Sequence, residues 1–135
     1  MRILGLDVGE KTIGVAVSDA LGWTAQAVTV IRRQNLKEDL RALRQIVEEY
    51  EIKKFVVGMP RRTDGTYGPE AEKVRSFAKK LEGEFNLPVE YWDERFSTTA
   101  AEKILLEGDV SRAKRKTVID KVAAAVILQA YLDRQ

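Results

Sequence analysis

Apolar and polar positions alternate at the start of the chain. Leu4, Leu6 and Val8 fall on one face of an extended segment, and Ile3, Gly5 and Asp7 on the other. The same period of two returns in TIGVAVSDA and, after Trp23-Thr24, in AQAVTVI, so the first 31 residues predict three strands. The connectors around Val8-Gly9-Glu10-Lys11 and Leu21-Gly22-Trp23 are too short for anything but antiparallel neighbours. The chain therefore begins as a β-meander.

The period then changes. In NLKEDLRALRQIVEEY, Leu36, Leu40, Leu43, Val47 and Tyr50 recur every three or four residues, which predicts one apolar helical stripe. Asn35 followed three residues later by Glu38 predicts a capped start. KKFVVGMP is a short continuous apolar run, the pattern of a strand covered on both faces. Turn chemistry at RRTDGTYG precedes Pro69, which suits the first position of a helix running to about Phe85. PVEYW predicts a fifth strand, and Ser97-Thr98-Thr99 a cap for a helix carrying Ile104 and Leu105. After Gly108 a basic stretch leads into a last helix, VIDKVAAAVILQAYL, apolar nearly all round and expected to be deeply packed. Trp23 and Trp92 are expected in hairpin and sheet packing, and Tyr67 beneath its glycine-rich turn.

The element order βββαβαβαα predicts a single α/β domain, 1–135, built on a mixed five-stranded sheet with helices on both faces. Right-handed crossovers make strands one, four and five parallel, so that their carboxyl ends share one edge.

Composition removes whole classes of chemistry. The 135 residues include no cysteine and no histidine, which excludes disulfides, thiolate nucleophiles, Ser-His relays and ordinary zinc sites. Carboxylates, lysines, tyrosines, hydroxyls and oxygen-bound hard cations remain. No stretch approaches the ~20 apolar residues of a membrane span, and no cleavable leader pattern precedes the first strand. A cytoplasmic protein is expected. The formal net charge is only +2 although 33% of residues are charged, so the distribution of charge matters more than its sum.

Asp7 is the anomaly in this pattern, because a carboxylate in an apolar strand is costly unless it is paired or metal-bound. The topology brings it to the same sheet edge as Glu94, just past strand five, and Asp120 is placed at or just before the first turn of the last helix. Asp93 competes with Glu94. Converging carboxylates repel one another, and a divalent cation removes that penalty; an all-oxygen site favours Mg²⁺ or Mn²⁺. Two such ions about 3.5–4 Å apart can hydrolyse a phosphodiester without any histidine. Each acid also has a plainer reading: Asp7 paired with Lys11 or capping its turn, Glu94 paired with Arg95, Asp120 an ordinary N-terminal helix carboxylate.

The run SRAKRK supplies Arg112, Lys114, Arg115 and Lys116 directly before Asp120. With Arg61 and Arg62 after strand four, and with Lys11 and Arg95 beside the acids, these cations are candidates to hold flanking phosphates. A solvated loop or a helix start is the plainer reading of the run.

LGLDVGEKTIGVAVSD, VVGMP…DGTYGPEAE, DERFSTTAAE and SRAKRKTVIDKVAAAVILQAYLD, in this order over essentially the whole chain, resemble the YqgF/RuvX family. The resemblance implies an RNase H-like fold. It also implies a nuclease that processes the 5′ end of pre-16S ribosomal RNA or, alternatively, resolves Holliday junctions. By position it marks Asp7, Glu94 and Asp120 as metal-binding catalytic acids. In the mechanism it implies, water attacks the phosphodiester in line and leaves a 5′-phosphate and a 3′-hydroxyl. Arg61-Arg62-Thr63 departs from the family pattern by carrying more charge than expected before Asp64-Gly65.

Junction resolution would call for a two-fold homodimer. Two rivals come from other classes. One is a sugar-kinase-like nucleotide-binding domain, for which DVGEKT approximates the first phosphate loop, although such proteins need a second domain to clamp ATP. The other is a non-catalytic RNA-binding assembly factor that keeps the basic patches and loses nothing when Asp7 becomes Asn.

Overall fold

The three alternating segments form strands β1 (Arg2–Val8), β2 (Thr12–Ser18) and β3 (Ala25–Arg32). The remaining described elements are α1 (Leu36–Glu49), β4 (Ile52–Met59), α2 (Pro69–Phe85), β5 (Val89–Asp93) and a last helix, here α3 (Arg112–Asp133). The computed structural model describes residues 1–60, 65–93 and 112–135, with 112–121 described by backbone alone. The helix expected around Ile104 and its Ser97-Thr98-Thr99 cap lie outside the described residues.

Local chemistry accounts for the boundaries. The Asn35 side chain accepts a hydrogen bond from the Glu38 N–H at 2.9 Å, satisfying one orphan donor of α1. Pro69 opens α2, and Asn86 ends it in the left-handed region at φ 54°. Two expectations are adjusted in the helices. Leu40, Leu43, Val47 and Tyr50 of the expected α1 stripe pack on the core, but Leu36 is exposed, and Asp39 and Ile46 are the buried positions beside Leu43. The last helix begins at Arg112, so the basic run is helical, and Asp120 lies eight residues inside the helix, not at its first turn. Arg112, Lys114, Arg115 and Lys116 have helix-forming straight-chain side chains, and nothing in their sequence obliges a loop.

The sheet order is β3-β2-β1-β4-β5. β1 is antiparallel to β2 and parallel to β4, and β4 is parallel to β5. This is the mixed five-stranded arrangement expected from the crossovers, with β1 in the middle. Alternation along β1 sends Leu4, Leu6 and Val8 into a core shared with Leu43, Ile46, Val74, Phe77 and Leu81 of α1 and α2. Ile3 joins Val56, Ala124, Ile127, Leu128 and Tyr131 in a second core beneath α3. Full burial of such side chains contributes about 1.5–3 kcal/mol each.

Gly5 sets how closely α3 approaches. A Cβ at this position would lie 2.8 Å from the Leu128 Cβ and 3.2 Å from the Ala124 carbonyl oxygen. Lys54 pairs in register with Ile3, and its ammonium donates to the Tyr131 hydroxyl at 2.6 Å. Tyr131 therefore sits at the Ile3 level, and Ala124 and Leu128 at the Gly5 level. Towards its own N-terminus, α3 thus advances along β1 in the direction of Asp7.

Candidate active site

Asp7 is the penultimate residue of β1 and is partly buried. Its face is that of Ile3 and Gly5, the face covered by α3. Leu6 pairs with Val57, and Gly58 with Trp92, so Asp7, Gly58 and Trp92 occupy successive strands in one row. Gly58 leaves the middle of that row without a side chain. Asp93 pairs with Met59 one row further on, which puts it on the opposite face from Asp7.

Positions 120, 124 and 128 are spaced by one helical turn and share a stripe of α3. Ala124 and Leu128 of this stripe lie over Gly5, and Asp120 is its next position towards the Asp7 end of β1. Arg112, Lys114, Arg115 and Lys116 occupy the opening turns of the same helix. Lys11 is exposed in the β1–β2 turn. Glu94, Arg61, Arg62 and Arg95 lie outside the described residues.

Asp7 also lines a cavity of about 220 Å³ with Gly9, Glu10, Arg33, Pro60, Glu70, Lys73 and Val74. The Lys73 ammonium lies 3.4 Å from Glu10, and both side chains are exposed. Arg33 is bound more deeply. Its Nη1 donates to the Gly9 carbonyl at 2.7 Å, its Nε lies 3.5 Å from Asp39 Oδ2, and its guanidinium stacks 5.1 Å from the Phe77 ring centroid. Asp39 is buried and also accepts the Gln34 N–H at 3.0 Å.

The sequence reading did not single out Arg33 or Asp39. A signal existed for the second: Asp39, Leu43, Ile46 and Tyr50 form a stripe as regular as the one through Leu36, with a carboxylate at its head. That is the same anomaly that marked Asp7.

The aromatic expectations divide. Trp92 packs in the sheet, edge-on to Tyr131 with ring centroids 6.0 Å apart. Trp23 is instead 73% exposed, at the end of the sheet opposite Asp7. Its turn is organised without the indole: Asp19 Oδ1 accepts the N–H groups of Trp23 and Thr24, which holds the Asp19 carboxyl below the usual carboxylate range. Tyr67 is not covered by its turn; it is about half exposed and carries the Arg75 guanidinium 5.5 Å from its ring centroid.

The carboxylates of Asp7, Glu10 and Glu70 share the cavity lining with the cations Arg33 and Lys73, and the chain holds neither histidine nor cysteine, so any metal ligands are oxygens, which suit a hard divalent cation. Among the described residues no three acidic side chains form a ready-made metal cluster. No helix among them is long and apolar enough to cross a membrane.

A central antiparallel meander extended by two parallel strands, with helices on both faces and an acid near the end of the first strand, defines an RNase H-like α/β protein. Residues 1–134 match the family model described as "RuvX: Holliday junction resolvase", and the chain belongs to that family. It is 65% identical over 133 residues to the "Putative pre-16S rRNA nuclease" of Symbiobacterium thermophilum, covering 98% of this chain and 92% of the relative. The protein of the same name from Heliobacterium modesticaldum is 59% identical over 133 residues, with 98% and 89% covered. Among solved structures, the fowlpox virus Holliday junction resolvase aligns over 100% of both chains, with a TM-score of 0.58 and 16% identity, a likeness of fold.

Proposed function

We propose that this protein is a divalent-metal-dependent nuclease that hydrolyses phosphodiester bonds in precursor 16S ribosomal RNA. The observation that carries the reading is the placement of Asp7 at the carboxyl end of the central strand, on the face along which α3 leads to Asp120. Membership of the RuvX family and the names of relatives at 59% and 65% identity support the reaction class and the RNA.

Asp7, Glu94 and Asp120 would hold Mg²⁺ or Mn²⁺. The location of Asp93 on the opposite face favours Glu94 as the acid contributed after β5. A bound cation supplies charge neutralisation and Lewis-acid polarisation at the scissile phosphate. The protein's own part is to fix the carboxylates and to hold the strand. β1 is braced from both faces, so Asp7 needs little reorganisation when substrate arrives. Arg112, Lys114, Arg115 and Lys116 lie on the same helix as Asp120, and Lys11 lies in the β1–β2 turn, while Arg61 and Arg62 follow β4, and Arg95 follows β5, in the sequence. These cations would hold phosphates flanking the cut, which the acids alone would repel.

The test compares wild type and Asp7→Asn with Mn²⁺ on three end-labelled substrates: a 16S precursor leader, a four-way DNA junction and plain duplex DNA. Cleavage of the leader by wild type alone is the expected result, with products bearing 5′-phosphates. Preference for the four-way junction would assign the chain to the activity in its family's description. Equal binding with no cleavage by either protein would replace the nuclease with an RNA-binding factor.

A further inference from the structure

Asp39 is 2% exposed, and nothing in the apolar packing of α1 requires a carboxylate there. Its place in the first turn of α1 and its bond to the Gln34 N–H account for one of its oxygens; the other is turned to Nε of Arg33, whose side chain keeps 28% of its surface in water. Phe77 of α2 covers the guanidinium from the side. With Nε and the ring face so engaged, Nη1 reaches the Gly9 carbonyl.

Gly9 is the pivot of the β1–β2 turn. Its N–H bonds the Thr12 carbonyl at 2.8 Å, and the Arg33 N–H bonds the Lys11 carbonyl at 2.9 Å. A Cβ on Gly9 would stand 3.2 Å from the Thr12 carbonyl oxygen, so the turn has little slack. Arg33 therefore grips the turn twice, by main chain and by side chain, two residues from Asp7. It also lines the same cavity as Asp7.

We propose that Arg33, oriented by Asp39, is a positioning residue that holds the β1–β2 turn so that the Asp7 carboxylate is preset for its cation and substrate. This rests on the nuclease reading above. Arg33 acts through Gly9 and does not bind the substrate. Lysine cannot replace it, because one ammonium cannot serve Asp39 and the Gly9 carbonyl with the planar fork's geometry.

The test uses Arg33→Lys, Arg33→Met and Asp39→Asn in the full chain, with Arg44→Met as a control on the exposed Arg44–Glu84 pair. Three quantities are measured: Mn²⁺ affinity by calorimetric titration, kcat and KM on whichever substrate wild type cleaves, and melting temperature. The expected result is a kcat lower by roughly 10–100-fold, with Mn²⁺ affinity weakened and KM changed less than about threefold. The control should match wild type. A raised KM with unchanged kcat would make Arg33 a substrate-binding group and overturn the proposal. Wild-type kcat and Mn²⁺ affinity in folded Arg33→Lys and Asp39→Asn would overturn it too. If Arg33→Met fails to fold, those two variants decide. A wild type that binds Mn²⁺ but cleaves nothing defeats the nuclease reading alone, and the Mn²⁺ affinities of the variants then decide the role of Arg33.

Discussion

Gly5 and Leu128 stand so close that a single methyl group on the glycine would fall 2.8 Å from the leucine Cβ. The obstruction is the root of a side chain and a helix carbonyl, neither of which can swing away as a flexible tip would. Gly5→Ala must therefore lift α3 from β1, at a cost of about 1–3 kcal/mol. Denaturant unfolding should show that loss. Because Asp120 rides on the same stripe of α3, cleavage should fall further than the loss of folded protein explains.

Metal removal gives a prediction about stability. If Asp7 helps to hold the cation, Mn²⁺ at about 100 times its dissociation constant should stabilise wild type by about 2.7 kcal/mol. Asp7→Asn should gain nothing from Mn²⁺. Scanning calorimetry of the two proteins, with and without chelator, reads this directly.

Lys54, Glu90 and Tyr131 form a polar weld between β4, β5 and α3, with the Lys54 ammonium 3.1 Å from Glu90 Oε2 and 2.6 Å from the Tyr131 hydroxyl. Tyr131→Phe keeps the ring against Trp92 and removes only the hydroxyl, so it should cost about 1 kcal/mol in a denaturant melt.

The same weld makes a statement about pH. Hydrogen bonding from Tyr131, and then from Lys54, holds the Glu90 carboxyl below the ordinary glutamate value of 4.5. A depressed folded value means stability present in full above 4.5 and lost as pH falls through the folded value. Burial alone would lower the Lys54 value, but its bonds to Tyr131 and Glu90 outweigh that and raise it above 10.5. Its contribution is full below 10.5 and lost as pH rises through the folded value. Glu90→Gln should flatten the acid limb of the stability profile by only a few tenths of a kcal/mol, because that side chain is half exposed.

The start of α1 is a fifth test. Asn35→Ala removes the acceptor for the Glu38 N–H and should cost about 1 kcal/mol. Asn35→Asp, which restores an acceptor at a helix N-terminus, should recover it.

What could be read beforehand followed from local periodicity. Alternation in β1, the Asn35 cap and Pro69 at the head of α2 are each set by neighbours within four residues, and the crossover rule then made β1, β4 and β5 parallel. Asp7 stood out because a carboxylate broke an apolar alternation. Arg33 escaped because its partners, Gly9, Asp39 and Phe77, are assembled only by the fold, and an arginine after a strand looks like any other surface cation. The start of α3 was misplaced because a dense basic run satisfies a loop and a helix equally, and only the packing of the apolar stretch behind it decides between them. Trp23 was misjudged for a related reason: Asp19 organises its turn through the backbone and leaves the indole nothing to cover.

Since β1 enters both cores, from Leu4, Leu6 and Val8 on one side and Ile3 on the other, Asp7 is carried by a strand that neither half of the molecule can release alone. Amide exchange at Leu6 should accordingly track the opening of the whole molecule and no smaller fluctuation. Heating should leave catalysis intact up to the unfolding transition and remove it there in one step.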